Sequence, residues 1–170
     1  VVAQVPQIDS HMNTVLSFYK RGAAASSALV QMMKQDLKAS FLGGGHSFVA
    51  VAPEGDNGPT VLGAKEAEIY PKIAGQTWQN KMTLRSFITG KLALNNAMEL
   101  TNSLTTPVLV QMGEDDETVS NEAITTFARR CGPLVSLTRY KGGHFSMLHP
   151  PLQQSAITQA ADYLKKQIFG

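Results

Sequence analysis

Hydrophobic and polar positions change period along this chain, and the changes mark its elements. Val1 to Val5 is apolar almost throughout, which predicts a buried strand cut by Pro6. Asp9 and Ser10 offer an N-cap, and Met12, Val15, Leu16 and Tyr19 follow at helical spacing up to Arg21-Gly22. A second helix is predicted over residues 24–40, with Ala25, Leu29, Met32, Met33, Asp36 and Leu37, and Gly43-Gly44-Gly45 ends it. The glycine- and proline-rich stretch 43–63 holds only a short apolar run, Phe48 to Ala52, and reads as an excursion or linker. A short segment at Ala64–Tyr70, a turn near Pro71 and a helix from Thr77 to Ile88 come next.

The pattern sharpens from Thr105. Pro107 to Met112 predicts a buried strand, followed by the acidic turn Gly113 to Glu117. A helix then starts at a Ser120 N-cap, with Val119 packing on Ile124 as a hydrophobic staple. Ala123, Ile124, Phe127, Ala128 and Cys131 share one face, Arg129 and Arg130 suit the negative helix end, and Gly132-Pro133 stops it. Leu134 to Tyr140 is the next strand. After the turn 141–150, a last helix carries Leu152, Ala156, Ile157, Ala160, Leu164 and Ile168 inward. Strand, helix, strand, helix at this spacing predicts a βαβ unit with a parallel sheet and flanking helices. Its polar turns gather at the C-terminal ends of the strands, where open α/β sheets bind ligands.

Composition narrows the classes. The 170 residues, 43% hydrophobic, suffice for one domain, and the 16% charged content argues against a disordered chain or a coiled coil. The net charge of +2 is scattered, without the basic stripe of a nucleic-acid binder. No apolar run is long enough for a membrane helix. One cysteine, Cys131, excludes an internal disulfide framework and a cysteine zinc site, and its place on a buried helix face makes it inert. His11 and His46 lack ligand-like spacing, so no metal and no cofactor is expected. Gly43 to Gly45 is not a phosphate loop, because no Gly-Lys-Ser/Thr follows it.

Two turns hold the candidate chemistry. Gly113-Glu114-Asp115-Asp116-Glu117 ends one strand, and Gly142-Gly143-His144-Phe145 ends the next. An acid that orients an imidazole, with the imidazole acting as base, is the second half of a serine-hydrolase triad. The order acid then histidine, late in the chain, fits it. Asp116 and His144 are the candidates, with Asp115 as the alternative acid; a helix-capping aspartate and a turn histidine are the plain structural readings. His149, between Leu148 and Pro150, reads as structural or exposed, Trp78 as a packing anchor, and Met12, Met32 and Met33 as core or pocket wall. Ser47 in Gly45-His46-Ser47-Phe48-Val49 imitates half of a nucleophile motif, but Val49 replaces the final glycine, and a loop serine is the plainer reading.

Leu104 to Asp116, the amphipathic helix after it, and Tyr140-Lys141-Gly142-Gly143-His144-Phe145 together resemble the end of an α/β-hydrolase. Val1 to Pro6 resembles the strand that follows the nucleophile helix in that superfamily. Val51-Ala52-Pro53 and Trp78 to Ser86 resemble one branch, the fungal polyketide transferases and thiohydrolases near the dienelactone-hydrolase and Xaa-Pro-peptidase-like groups. The resemblance implies the C-terminal part of an α/β-hydrolase sheet with flanking helices, Asp116 as triad acid and His144 as triad base. It implies a helical lid-like excursion over 10–63, and the strand-helix-strand-helix unit over 105–170 carrying acid and histidine. The family's nucleophile motif Gly-x-Ser-x-Gly and its oxyanion loop precede the matched segment, and no such motif stands in the 170 residues.

The expected activity is therefore acyl hydrolysis or transfer on a small ester or thioester, with the serine in a separate or preceding segment. That segment, or a second copy of the chain, is the expected partner along Val1–Val5, because an uncovered strand edge aggregates. No nucleic-acid or membrane partner is expected. The single cysteine is compatible with a reducing cytoplasm. Two alternatives stand beside this reading: a hydrolase-derived binding or oligomerisation protein without activity, and a cyclase or isomerase using His144-Asp116 as a general base.

Overall fold

A computed structural model describes residues 1–53, 59–92 and 96–170. The main elements in chain order are β1 (Val2–Gln4), α1 (Ser10–Phe41), β2 (Phe48–Val49), α2 (Ala64–Ile73), β3 (Met82–Thr83) and α3 (Leu84–Leu92). Then come β4 (Val108–Gly113), α4 (Asn121–Cys131), β5 (Val135–Tyr140) and α5 (Leu152–Phe169). Three parallel strands make one sheet in the order β1-β4-β5, and β2 and β3 pair antiparallel in a second.

β4 is buried along its whole length, as a central parallel strand covered on both faces must be. Its one polar member, Gln111, is fully buried and fully bonded. The Gln111 amide nitrogen lies 2.9 Å from both the Ala156 carbonyl and Gln159 Oε1, and its oxygen accepts from Gln4 Nε2 at 2.8 Å. The β4-α4-β5 unit is the predicted one. Ser120 Oγ accepts from the Ala123 N–H at 3.1 Å and caps α4. The core under the sheet unites Val108, Val110 and Met112 of β4 with Val119, Ile124, Phe127 and Cys131.

Between β1 and β4 the chain builds a separate apolar cluster around Leu29, Val49, Leu84 and Phe87, with Met32 and Met33 packed on it. α1 is two helices joined across Gly22, whose φ of 77° and ψ of 168° are not helical. The predicted stop at Arg21-Gly22 is therefore real, although the helical runs abut. Asp9 rather than Ser10 is the cap, accepting from the Met12 N–H. Part of the 43–63 stretch, residues 54–58, lies outside the described residues.

Several expectations are corrected. The helix predicted from Thr77 starts at Leu84, because Thr83 pairs with Phe48 in the small sheet and its Oγ1 accepts from the Ser86 N–H. Asn80 instead brackets the backbone N–H and carbonyl of Ala52. The turn near Pro71 is a continuation of α2 to Ile73. Met12, Val15 and Tyr19 face outward, since this half of α1 turns Asn13 toward the Ser120 N–H and Lys20 Nζ toward the Asp116 carbonyl, in the segment after β4. On α5 only Ala156 is fully buried; Ile157 is 52% and Ile168 67% exposed, so the apolar stripe is real but most of it is uncovered.

Candidate active site

β4 and β5 end in register, with Gly113 opposite Tyr140, so their following turns are neighbours. Backbone bonds stitch them together: the Glu114 N–H donates to the Tyr140 carbonyl at 2.8 Å and the Asp115 N–H to the Gly142 carbonyl at 2.9 Å. Glycine is required at this crossing. A Cβ on Gly113 would stand 2.6 Å from the carbonyl oxygens of Gly142 and Gly143. Gly142 has a φ of 132°, and a Cβ there would meet Ser146 Cβ at 2.7 Å.

The two turns bring Asp116 and His144 together. Asp116 Oδ2 lies 2.8 Å from His144 Nδ1, with the carboxylate side chain fully buried and the imidazole 15% exposed. The other oxygen, Oδ1, accepts from the N–H groups of Thr118 at 2.7 Å and Val119 at 3.0 Å, which fixes the carboxylate. With Nδ1 engaged, Nε2 is the nitrogen left for chemistry. The His144 and Phe145 rings meet in a T-shaped pair, Phe145 packs on Tyr70, and Tyr70 meets Trp78 in a second T-shaped pair. Asp115 is exposed and its side chain is not in this pair.

The other candidates fall elsewhere. The Ser47 N–H donates to Asp36 Oδ1 at 2.7 Å, and its carbonyl accepts from Leu84, so Ser47 belongs to the small sheet. That N–H bond, with help from Arg85 Nε at 3.1 Å, holds the Asp36 carboxyl below its usual value against the opposing effect of burial. His149 Nδ1 donates to the Pro150 carbonyl, and His11 and His46 are exposed. Burial pushes the Cys131 thiol up, which disfavours its thiolate. Among the described residues no group of three His, Cys, Asp or Glu is placed to hold a metal, and no helix is long and apolar enough to cross a membrane.

Three contributors carried no sequence signal. Lys20 Nζ donates to the Asp116 carbonyl at 3.4 Å, and Asn13 Oδ1 accepts from the Ser120 N–H at 2.7 Å, so α1 braces the acid turn. Glu66 of α2 is 2% exposed and sits against both turns. An amphipathic segment such as 64–73 does not mark which of its acids is buried.

The fold matches solved α/β-hydrolases. An α/β-hydrolase called GrgF, from Penicillium sp. sh18, superposes with a TM-score of 0.64 at 19% identity, over 97% of this chain and 54% of that one. DcsB, solved in complex with its substrate analogue, superposes with a TM-score of 0.66 at 19% identity, over 99% of this chain and 56% of that one. The 170 residues thus carry an α/β-hydrolase fold and span about half the length of these structures. No family model and no curated protein matches the sequence.

Proposed function

We propose that this chain supplies the acid and the base of a serine-hydrolase-type acyl hydrolase or acyl transferase. The observation that carries this reading is the buried Asp116 carboxylate on His144 Nδ1, at the C-terminal rim of the parallel sheet, with Nε2 uncommitted. A serine from a segment other than these 170 residues attacks the carbonyl carbon of an ester or thioester. His144 Nε2 takes the hydroxyl proton and returns it to the departing alkoxide or thiolate, and Asp116 stabilises the imidazolium formed in between. Water then repeats the cycle and releases the acid, or an acceptor alcohol takes the acyl group. The polyketide-thioester branch is the finer reading, supported by the resemblance of residues 51–53 and 78–86. α1 and residues 43–53 and 59–63 are the proposed lid and acyl-pocket wall.

The partner in this reading is the serine-bearing segment or, failing that, a second copy of the chain. It covers the outer edge of β1, which among the described residues pairs only with β4. Exposed Ile157 and Ile168 support a covered face on α5 as well. The test is turnover of p-nitrophenyl esters and acyl thioesters by the protein isolated from its native source, with His144→Ala beside it. Loss of turnover in the variant is the expected result. Equal turnover in both refutes the role of His144.

A further inference from the structure

A glutamate on a helix is ordinarily solvated, because removing its charge from water is costly. Glu66 is 2% exposed, and its carboxylate is wedged between the two turns that carry Asp116 and His144. Its Oε1 accepts from the N–H of Glu117, the residue after Asp116, at 3.4 Å. The same oxygen stands against Gly143, the residue before His144, where a Cβ would lie 3.1 Å away. Its Oε2 has no hydrogen-bond partner among the described residues. The carboxylate lines a cavity of about 200 Å³ together with Ile69, Asp115 and Gly143. Ile69 and Tyr70, one helical turn further on, complete the contact, Tyr70 through its ring on Phe145 at 5.0 Å.

An apolar side chain would fill this space without the desolvation cost of a carboxylate. What a carboxylate adds is an acceptor for the acid turn at the place where the histidine turn passes without a side chain. We propose that Glu66 is a positioning residue: it ties the Asp116 turn to α2 at a fixed distance from the His144 turn, and so holds acid and base in register. This rests on the reading of Asp116 and His144 as acid and base, and it assigns α2 the task of holding them.

The experiment is hydrogen exchange followed by NMR on the intact chain, comparing wild type with Glu66→Ala, Glu66→Gln and Gly143→Ala. Two signals are read: the Glu117 amide and the low-field Nδ1 proton of His144. In Glu66→Ala both exchange faster, the Glu117 amide by about fivefold or more, while amides of α5 keep their wild-type rates. Glu66→Gln retains an acceptor oxygen and restores both signals. Gly143→Ala, whose methyl meets Oε1, moves them in the same direction as Glu66→Ala. Should Glu66→Ala fail to fold by circular dichroism, the Gln and Gly143→Ala variants decide. Unchanged Glu117 exchange in the Ala variants overturns the proposal, and so does a Gln variant that behaves like Ala, which would make charge the agent. Absence of the low-field proton in wild type strikes the acid–base reading instead, and Glu117 exchange still reports on Glu66.

Discussion

Asp116 Oδ2 sits 2.8 Å from His144 Nδ1, although 28 residues separate the two in sequence. The adjacent acid, Asp115, is exposed and outside the pair. If the pair is the acid and base of acyl transfer, Asp116→Asn leaves the geometry but favours the wrong imidazole tautomer. Its kcat/KM is expected to fall by about 10⁴-fold, by analogy with triad acids generally. Asp115→Asn is expected to stay within about threefold of wild type, since its exposed side chain lies outside the pair and its turn bond is made by the backbone N–H. Steady-state kinetics on one acyl substrate compares them, and a larger loss in Asp115→Asn would transfer the acid role to that residue.

The glycines at the crossing of the two turns are a stability feature as well as a local one. Gly142→Ala combines a left-handed φ of 132° with overlap on Ser146, and Gly113→Ala drives a methyl into two carbonyl oxygens. Each is expected to destabilise the fold by about 2–4 kcal/mol in urea unfolding. Gly75→Ala, with nothing within 4 Å of the added methyl, is the control expected to change little.

Asp36 ties α1 to the segment entering β2, and the Ser47 N–H is the first cause of its lowered carboxyl value. The sign follows from linkage. A carboxylate whose folded value lies below its unfolded one adds stability at neutral pH and loses it as pH falls through the folded value. Wild type is therefore expected to lose its stability advantage over Asp36→Asn as the pH falls below the ordinary carboxylate range and through the lowered folded value. Parallel unfolding curves at each pH test this; an advantage that grows on acidification would contradict the assignment.

Ile157 and Ile168 are exposed on α5. In the 170-residue chain alone, Ile157→Asp and Ile168→Asp are expected to change stability by only about 0.5 kcal/mol. Association with the serine-bearing segment or a second copy, followed by sedimentation, is expected to weaken by about tenfold or more through loss of buried apolar area. Unaltered association would place the partner elsewhere.

The readable parts of the chain were those where one principle dominates. Val108 to Met112 is a central strand because an uninterrupted apolar run has few other uses, and α4 announces itself through Ser120, the Val119–Ile124 staple and Gly132. Asp116 and His144 stood out because both follow strands of one βαβ unit. Less was legible where tertiary pairing overrides local pattern. Thr83 is recruited by Phe48 across a sheet that no periodicity marks, which moves the start of α3 by seven residues from Thr77 to Leu84. The apolar face of α5 was correctly patterned, yet burial depends on what covers it, and a pattern does not say that. Glu66 carries no local signal, because its burial follows from where α2 docks.

The most direct test of the central claim is active-site labelling of the protein from its native source with a fluorophosphonate, followed by peptide mapping. Wild type is expected to label on a serine outside residues 1–170, with labelling abolished by His144→Ala and strongly slowed by Asp116→Asn. A label on Ser47, or labelling indifferent to both variants, would contradict the account. No label together with turnover that still needs His144 would also contradict it, and would point to general-base chemistry without a nucleophilic serine.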